Sequence, residues 1–139
     1  MDKIAFFLPA RKGSERVKNK NTSRQLLSTK HVDEIILSTN DEVCMEVAQK
    51  FTLDSRLRIV ARPDNLCLSS TNLQDLICYV PTITDADHIL WGHVTTPLAG
   101  ANEYDKGIEL YLSKLHEGYD SLVGVTELKN FLLNREGKL

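Results

Sequence analysis

Five basic side chains fall close together near the start of this chain: Arg11, Lys12, Arg16, Lys18 and Lys20, set against a single acid, Glu15. They occupy residues 8–21, LPARKGSERVKNKN, directly after an apolar run at residues 3–8, KIAFFL. That run reads as a strand covered on both faces. Pro9 and Gly13 then punctuate a loop. A strand that empties into a basic, glycine-containing loop can hold phosphate: loop N–H groups point at the oxygens and Lys and Arg neutralise them. The chemistry indicated is binding of a nucleotide polyphosphate. The loop is neither a GxxxxGK[ST] phosphate loop nor a GxGxxG dinucleotide turn. For Lys12, Arg16 and Lys18 a plain solvated role stands beside the functional one.

Charge distribution narrows the partner. Residues 11–30 carry seven basic groups and one acid, so the net charge of −2 leaves −8 on the remainder. A basic loop on an acidic body suits a small polyanion rather than nucleic acid, which calls for a broad basic face. At 139 residues the chain is expected to form a single domain with a real core. No apolar run reaches the length of a membrane helix, and Met1-Asp2-Lys3 leads straight into a strand with no secretion signal. Cys44, Cys67 and Cys78 are odd in number and lack CxxC spacing, which points to reduced thiols filling core in a cytoplasmic protein. His31, His88 and His116 show no metal spacing.

The elements that must position this loop follow in order. Residues 23–30 read as a short helix and residues 34–39 as a second strand. Asn40 is the expected N-cap of a helix over 41–51, with apolar residues at Val43, Val47, Ala48 and Phe51. Residues 58–61 form a third expected strand, ended by Arg62-Pro63. Ser70 or Thr71 would cap a helix through Leu73, Leu76, Ile77 and Val80. Residues 88–94 read as a fourth strand, and Asn102 as the cap of a long amphipathic helix closed by Gly118. Residues 121–125 (SLVGV) read as a fifth strand, and the Asn134-Arg135-Glu136 turn as the start of a hairpin. Strands alternating with helices indicate an α/β fold with a mostly parallel sheet. Ligands in such sheets bind beyond the carboxyl ends of the strands, where every interesting polar cluster here falls.

Several stretches, in order, resemble one family. Residues 8–16 with Lys18-Asn19-Lys20-Asn21 are similar to the PARxGSKR…NKN signature of the acylneuraminate (CMP-sialic acid) cytidylyltransferases. DEIILSTND at 33–41 resembles that family's DEIIVSTDD, and Arg62-Pro63 with Leu66 resembles its RPxxLA. HVTTPL at 93–98 resembles QPTSPLR, and DSLVGVTE at 120–127 resembles DSVVSVTE. The resemblance implies the Rossmann-like, three-layer fold of nucleotide-diphospho-sugar transferases. It implies transfer of CMP from CTP to a sialic-acid-like nonulosonate with release of pyrophosphate, assisted by Mg²⁺. It also implies a cytoplasmic homodimer. By the same resemblance Arg11 and Lys20 are the catalytic candidates, holding the triphosphate. Ser14 and Asn21 would bond phosphate or ribose, and the backbone at Leu8, Pro9 and Ala10 would read the cytosine. Arg62 with Ser70 and Thr71 would close on the nucleotide. His93, Thr95 and Thr96 would face the sugar.

Departures from the family pattern set the alternatives. His93 stands where the family has Gln, and Asn40 where it has Asp. The first keeps open another acidic sugar, of legionaminate or pseudaminate type. The segment between Asn21 and His31 is short, and the family's Mg²⁺ ligands and much of its dimer interface lie in a region beyond residue 139. An apparently incomplete domain is therefore expected, with no metal ligand assigned within it. A non-catalytic nucleotide-binding paralogue or fragment is the reading from another class.

Overall fold

The computed structural model describes residues 2–12, 26–51, 53–93, 99–125, 127, 129 and 134–136. Its centre is a four-stranded, all-parallel sheet in the order β3-β2-β1-β4, with β1 at Ile4–Ala10, β2 at Glu34–Thr39, β3 at Leu57–Ala61 and β4 at His88–Trp91. Helix α1 spans Glu42–Gln49, α2 spans Leu73–Tyr79 and α3 spans Ala101–Leu115.

The apolar runs in β1 and β2 work as expected, because both faces of the sheet are covered. Ile4, Phe6, Leu8 and Ala10 point to one face, where they meet Ile35, Leu37, Leu26, Val32, Ala48 of α1 and Ile108 of α3. Ala5 and Phe7 point to the other, with Ile36, Val80 and the half-buried Leu76 of α2. Phe6 lies edge-on to Tyr104 of α3 at 5.1 Å, tying sheet to helix, and Phe7 lies edge-on to Trp91 of the neighbouring strand β4 at 4.8 Å. This is a three-layer α/β arrangement.

Arg56 fastens the amino ends of β2 and β3. Its guanidinium donates to the carbonyls of Leu27, Thr29 and Val32 and to the Asp54 carboxylate. Hydrogen bonds from Arg56 hold the Asp54 carboxyl below its ordinary range. Stability from this pair is therefore present above the unfolded carboxylate pKa of about 3.9 and lost as pH falls through the lower folded value. Arg56→Ala leaves those carbonyls without their partner and should cost about 2–3 kcal/mol, read as a lowered urea midpoint at unchanged slope. A midpoint equal to wild type would show that water replaces the guanidinium without loss.

Several expected boundaries shift, each for a local reason. β1 continues through Pro9 and Ala10, so the loop starts two residues later than its punctuation suggested. β4 stops at Trp91 rather than running to 94. The α1 cap is Asp41, whose Oδ1 accepts the Val43 N–H at 3.0 Å; Asn40 is occupied elsewhere. Asn72 caps α2, because the Thr71 hydroxyl is spent on the Asn65 carbonyl at 2.8 Å. The Glu103 carboxylate reaches back to the Gly100 N–H at 2.9 Å, so α3 starts at Ala101 and Asn102 lies inside its first turn. Gly118 does end the α3 region, with a left-handed φ of 91° that suits glycine.

The fifth strand is not formed. Residues 121–125 pair with no described strand, and Leu122, Val123 and Val125 are 49, 78 and 85% exposed. An apolar strand needs a ladder partner and cover on both faces, and none of the described elements supplies these to SLVGV. Cys44 packs against the core, but Cys78 is exposed and so is not the core filler expected. The 23–30 helix is visible only as Leu26 and Leu27, its earlier part lying outside the described residues, as do most of residues 130–139.

Candidate functional site

The strand order dictates where a ligand can sit. From β1 the chain steps to β2 and then β3 on one side, whereas β4 lies on the other side of β1. The order reverses between β1 and β4, and the crevice outside their carboxyl ends is the switch point at which such sheets bind ligands.

Pro9 helps to open that crevice. The Gly92 N–H donates to the Phe7 carbonyl at 2.8 Å, so the Phe7 backbone faces β4. Strand period two turns Pro9 to the same side, and proline has no N–H to continue the ladder. The ladder between the two strands ends at Phe7 with Trp91, three residues before β1 itself ends. Gly92 marks the exit of β4. A Cβ there would overlap the buried Phe6 ring, 2.5 Å from Cζ, and that ring is wedged against Tyr104. Gly92→Val should therefore cost at least about 1–3 kcal/mol through overpacking, seen as a thermal midpoint several degrees lower. An unchanged midpoint would mean that the β4 exit shifts freely.

The carboxyl ends of β1, β2 and β3 are stitched together by Arg62. Its backbone N–H donates to the Thr39 carbonyl at 2.9 Å. Its side chain is buried, 6% exposed; Nε donates to Ser38 Oγ at 3.2 Å and Nη2 to the Ser38 carbonyl at 2.5 Å, with the Ala10 carbonyl 3.4 Å away. Burial lowers the pKa of this guanidinium, and the nearby positive charge of Arg11 adds to the effect. No described carboxylate forms an ion pair with Arg62. A buried cation with a second cation beside it is costly unless an anion balances it.

Other expected site residues fall into place around this centre. Leu8 and Ala10 are buried and Pro9 half-buried at the end of β1, while Arg11 is exposed just beyond. Lys12 donates its N–H to Asn40 Oδ1 at 2.9 Å. Ser70 is exposed in the turn after Asp64–Leu66, and Thr71 closes that turn through Asn65. His93 is exposed after β4. Thus Leu8, Pro9, Ala10, Arg11 and Arg62 share one end of the sheet, with His93 following the strand across the crevice. Ser14, Lys20, Asn21, Thr95 and Thr96 lie outside the described residues. Sequence reasoning treated Asn40 as a helix cap and missed its tie to Lys12; only its position directly after the second strand hinted at it. Ser38, the main acceptor for Arg62, was missed as well. Its signal was a small polar residue inside an otherwise apolar strand.

No group of three or more His, Cys, Asp or Glu side chains among the described residues could hold a metal ion. The Asp41 carboxylate is engaged in capping α1. A shallow concavity lined by Leu27, Lys50, Phe51, Leu53, Asp54 and Ser55 lies toward the amino ends of β2 and β3, away from the crevice. Among the described residues, no helix is long and apolar enough to cross a membrane.

The doubly wound parallel sheet has the α/β fold of the nucleotide-diphospho-sugar transferase kind. Two solved structures share it. One is a CMP:2-keto-3-deoxy-manno-octonic acid synthetase complexed with CTP, with a TM-score of 0.60 and 17% identity, over 82% of this chain and 49% of that one. The other is a cytidylyltransferase from Leptospira borgpetersenii serovar Hardjo-bovis (strain JB197), with a TM-score of 0.55 and 17% identity, over 81% of this chain and 50% of that one. The chain spans about half the length of each. No protein-family model and no curated protein matches the sequence.

Proposed function

We propose that the carboxyl end of β1, between its neighbours β2 and β4, binds CTP, and that the chain carries the nucleotide-binding part of a cytidylyltransferase acting on an acidic keto sugar. The observation that carries this reading is Arg62: a buried guanidinium at the strand ends, beside Arg11, with no described carboxylate to balance it. A triphosphate held by the neighbouring Arg11 would offset that charge. The resemblance of residues 8–21 to a CTP-binding signature and the likeness in fold to a synthetase complexed with CTP support the choice of nucleotide.

In this reading Arg11, with Lys20, neutralises the phosphates, and Arg62 fixes the strand ends from which Arg11 departs. The sugar hydroxyl attacks the α-phosphorus, a phosphoester bond forms, and the bond to pyrophosphate breaks with release of a proton. Charge gathers on phosphate oxygens, so positioning and neutralisation supply most of the catalysis. Ser14, Asn21, Ser70 and Thr71 would complete nucleotide binding, and His93, Thr95 and Thr96 would meet the sugar. Mg²⁺ assistance, a homodimer and a cytoplasmic setting belong to the same proposal.

A sialic-acid-like nonulosonate is the first choice of acceptor. An eight-carbon keto sugar acid is the second, favoured by the acid in the name of the synthetase of like fold. CTP-dependent pyrophosphate release, measured with each acid in turn in the presence of Mg²⁺, distinguishes them. Release with either acid supports the enzyme reading and names the substrate class. Tight CTP binding with no release from any acid would leave a nucleotide-binding module and refute catalysis.

A further inference from the structure

We propose that Asn40 is a positioning residue for the phosphate site: it anchors the backbone on one side of Arg11 while Arg62 anchors the other. The inference rests on reading that site as a polyphosphate cradle. The Lys12 N–H donates to Asn40 Oδ1 at 2.9 Å, and the Arg62 guanidinium approaches the Ala10 carbonyl at 3.4 Å. Ala10 and Lys12 are the two chain neighbours of Arg11, so both peptide units that set its direction are held by side chains from other strand ends. Asn40 is available for this because α1 does not use it. Asp41 caps the helix through Val43, and its own N–H is taken by Thr39 Oγ1 at 3.0 Å.

Asn40 thus joins the exit of β2 to the first residues of the basic loop, across 28 positions of sequence. The Arg11 side chain is exposed, and a long cation leaving an unanchored backbone would have to be ordered at the moment of binding. Anchoring Ala10 and Lys12 removes part of that cost beforehand. Because the Lys12 bond lies in an exposed position, its loss should register in binding rather than in global stability.

The test compares wild type with Asn40→Ala and Asn40→Asp. The second variant keeps an oxygen acceptor at the same reach. Amide hydrogen exchange at Lys12 is followed without nucleotide, and CTP binding by calorimetry. Asn40→Ala should lose protection at Lys12 and weaken CTP binding about fivefold or more, with a thermal midpoint within roughly 2 °C of wild type. Asn40→Asp should restore protection at Lys12. Wild-type exchange or wild-type affinity in Asn40→Ala overturns the proposal, as does failure of Asn40→Asp to restore protection. If the wild-type chain binds no CTP while Lys12 exchange still responds to Asn40→Ala, the nucleotide reading fails and takes the role of the anchor with it. Equal CTP binding by wild type and Asn40→Ala refutes the anchor alone.

Discussion

Arg62→Ala should lower the thermal midpoint by about 10 °C. The substitution strips the Ser38 carbonyl, Ser38 Oγ and the Ala10 carbonyl of a shared donor in a buried site. Leaving buried acceptors unsatisfied costs about 1–3 kcal/mol each, and partial relaxation brings the sum to roughly 3 kcal/mol. One opposing effect must be weighed, since removing a buried cation also removes its desolvation cost. The fork-like contacts decide the sign, because the guanidinium already has carbonyl oxygens in place of water. Arg62→Lys separates the two contributions. It keeps the charge but cannot reach several acceptors in one plane, and should recover less than half of the loss. A thermal scan in which Arg62→Ala melts within a degree or two of wild type would show that Arg62 does not hold the strand ends together.

Arg11→Ala should behave in the opposite way, leaving stability alone and removing function. Arg11 is exposed and directly follows β1. Its loss subtracts no core and no buried bond. It removes one of the cations at the crevice, and loss of a single charge-stabilising group of this kind costs about 10²–10³-fold in rate. CTP-dependent pyrophosphate release should fall by that factor in kcat/KM, while the thermal midpoint stays within roughly 1 °C. A variant that retains wild-type kcat/KM would remove Arg11 from the site. Together, these substitutions divide the cluster into a residue that builds the crevice and one that works in it.

Much of the fold is legible in the sequence, and the parts that are not share a physical cause. The apolar runs of β1 and β2 declare strands covered on both faces, and Val43, Val47 and Ala48 declare α1 by their spacing. Local signals mislead where a side chain is recruited from far along the chain. Asn40 has the right chemistry for a cap, but Lys12 claims it. Thr71 is displaced as a cap because Asn65 takes its hydroxyl. The extent of β4 depends on Pro9, some eighty residues earlier, and on a register that no local window contains. Residues 121–125 carry a strand composition but no ladder partner among the described elements, and composition alone cannot supply one.

The site is legible in the same uneven way. A basic loop after the first strand points to a polyanion, and doubly wound topology points to the strand ends. Leu8, Pro9, Ala10 and Arg11 are gathered there as the sequence suggests. Arg62 reads equally well as a surface residue before a turn. Its burial follows from the pairing of β2 with β3, which aligns Ser38 with Val60 and places Arg62 just past the end of the ladder. The constellation of Arg62, Ser38, Ala10 and Arg11 therefore exists only once the register is set.

If the carboxyl end of β1 is a triphosphate site with a preference for cytosine, a calorimetric titration of CTP into the chain will show it. Parallel titrations with UTP and ATP set the base preference. We predict saturable one-site binding of CTP with a dissociation constant below about 1 mM, the upper end of common substrate affinities, weakening as salt screens the basic loop. UTP and ATP should bind more weakly, and Arg11→Ala should bind CTP poorly if at all under the same conditions. No saturable CTP binding up to that concentration at low salt, or equal binding of all three nucleotides, would contradict the account.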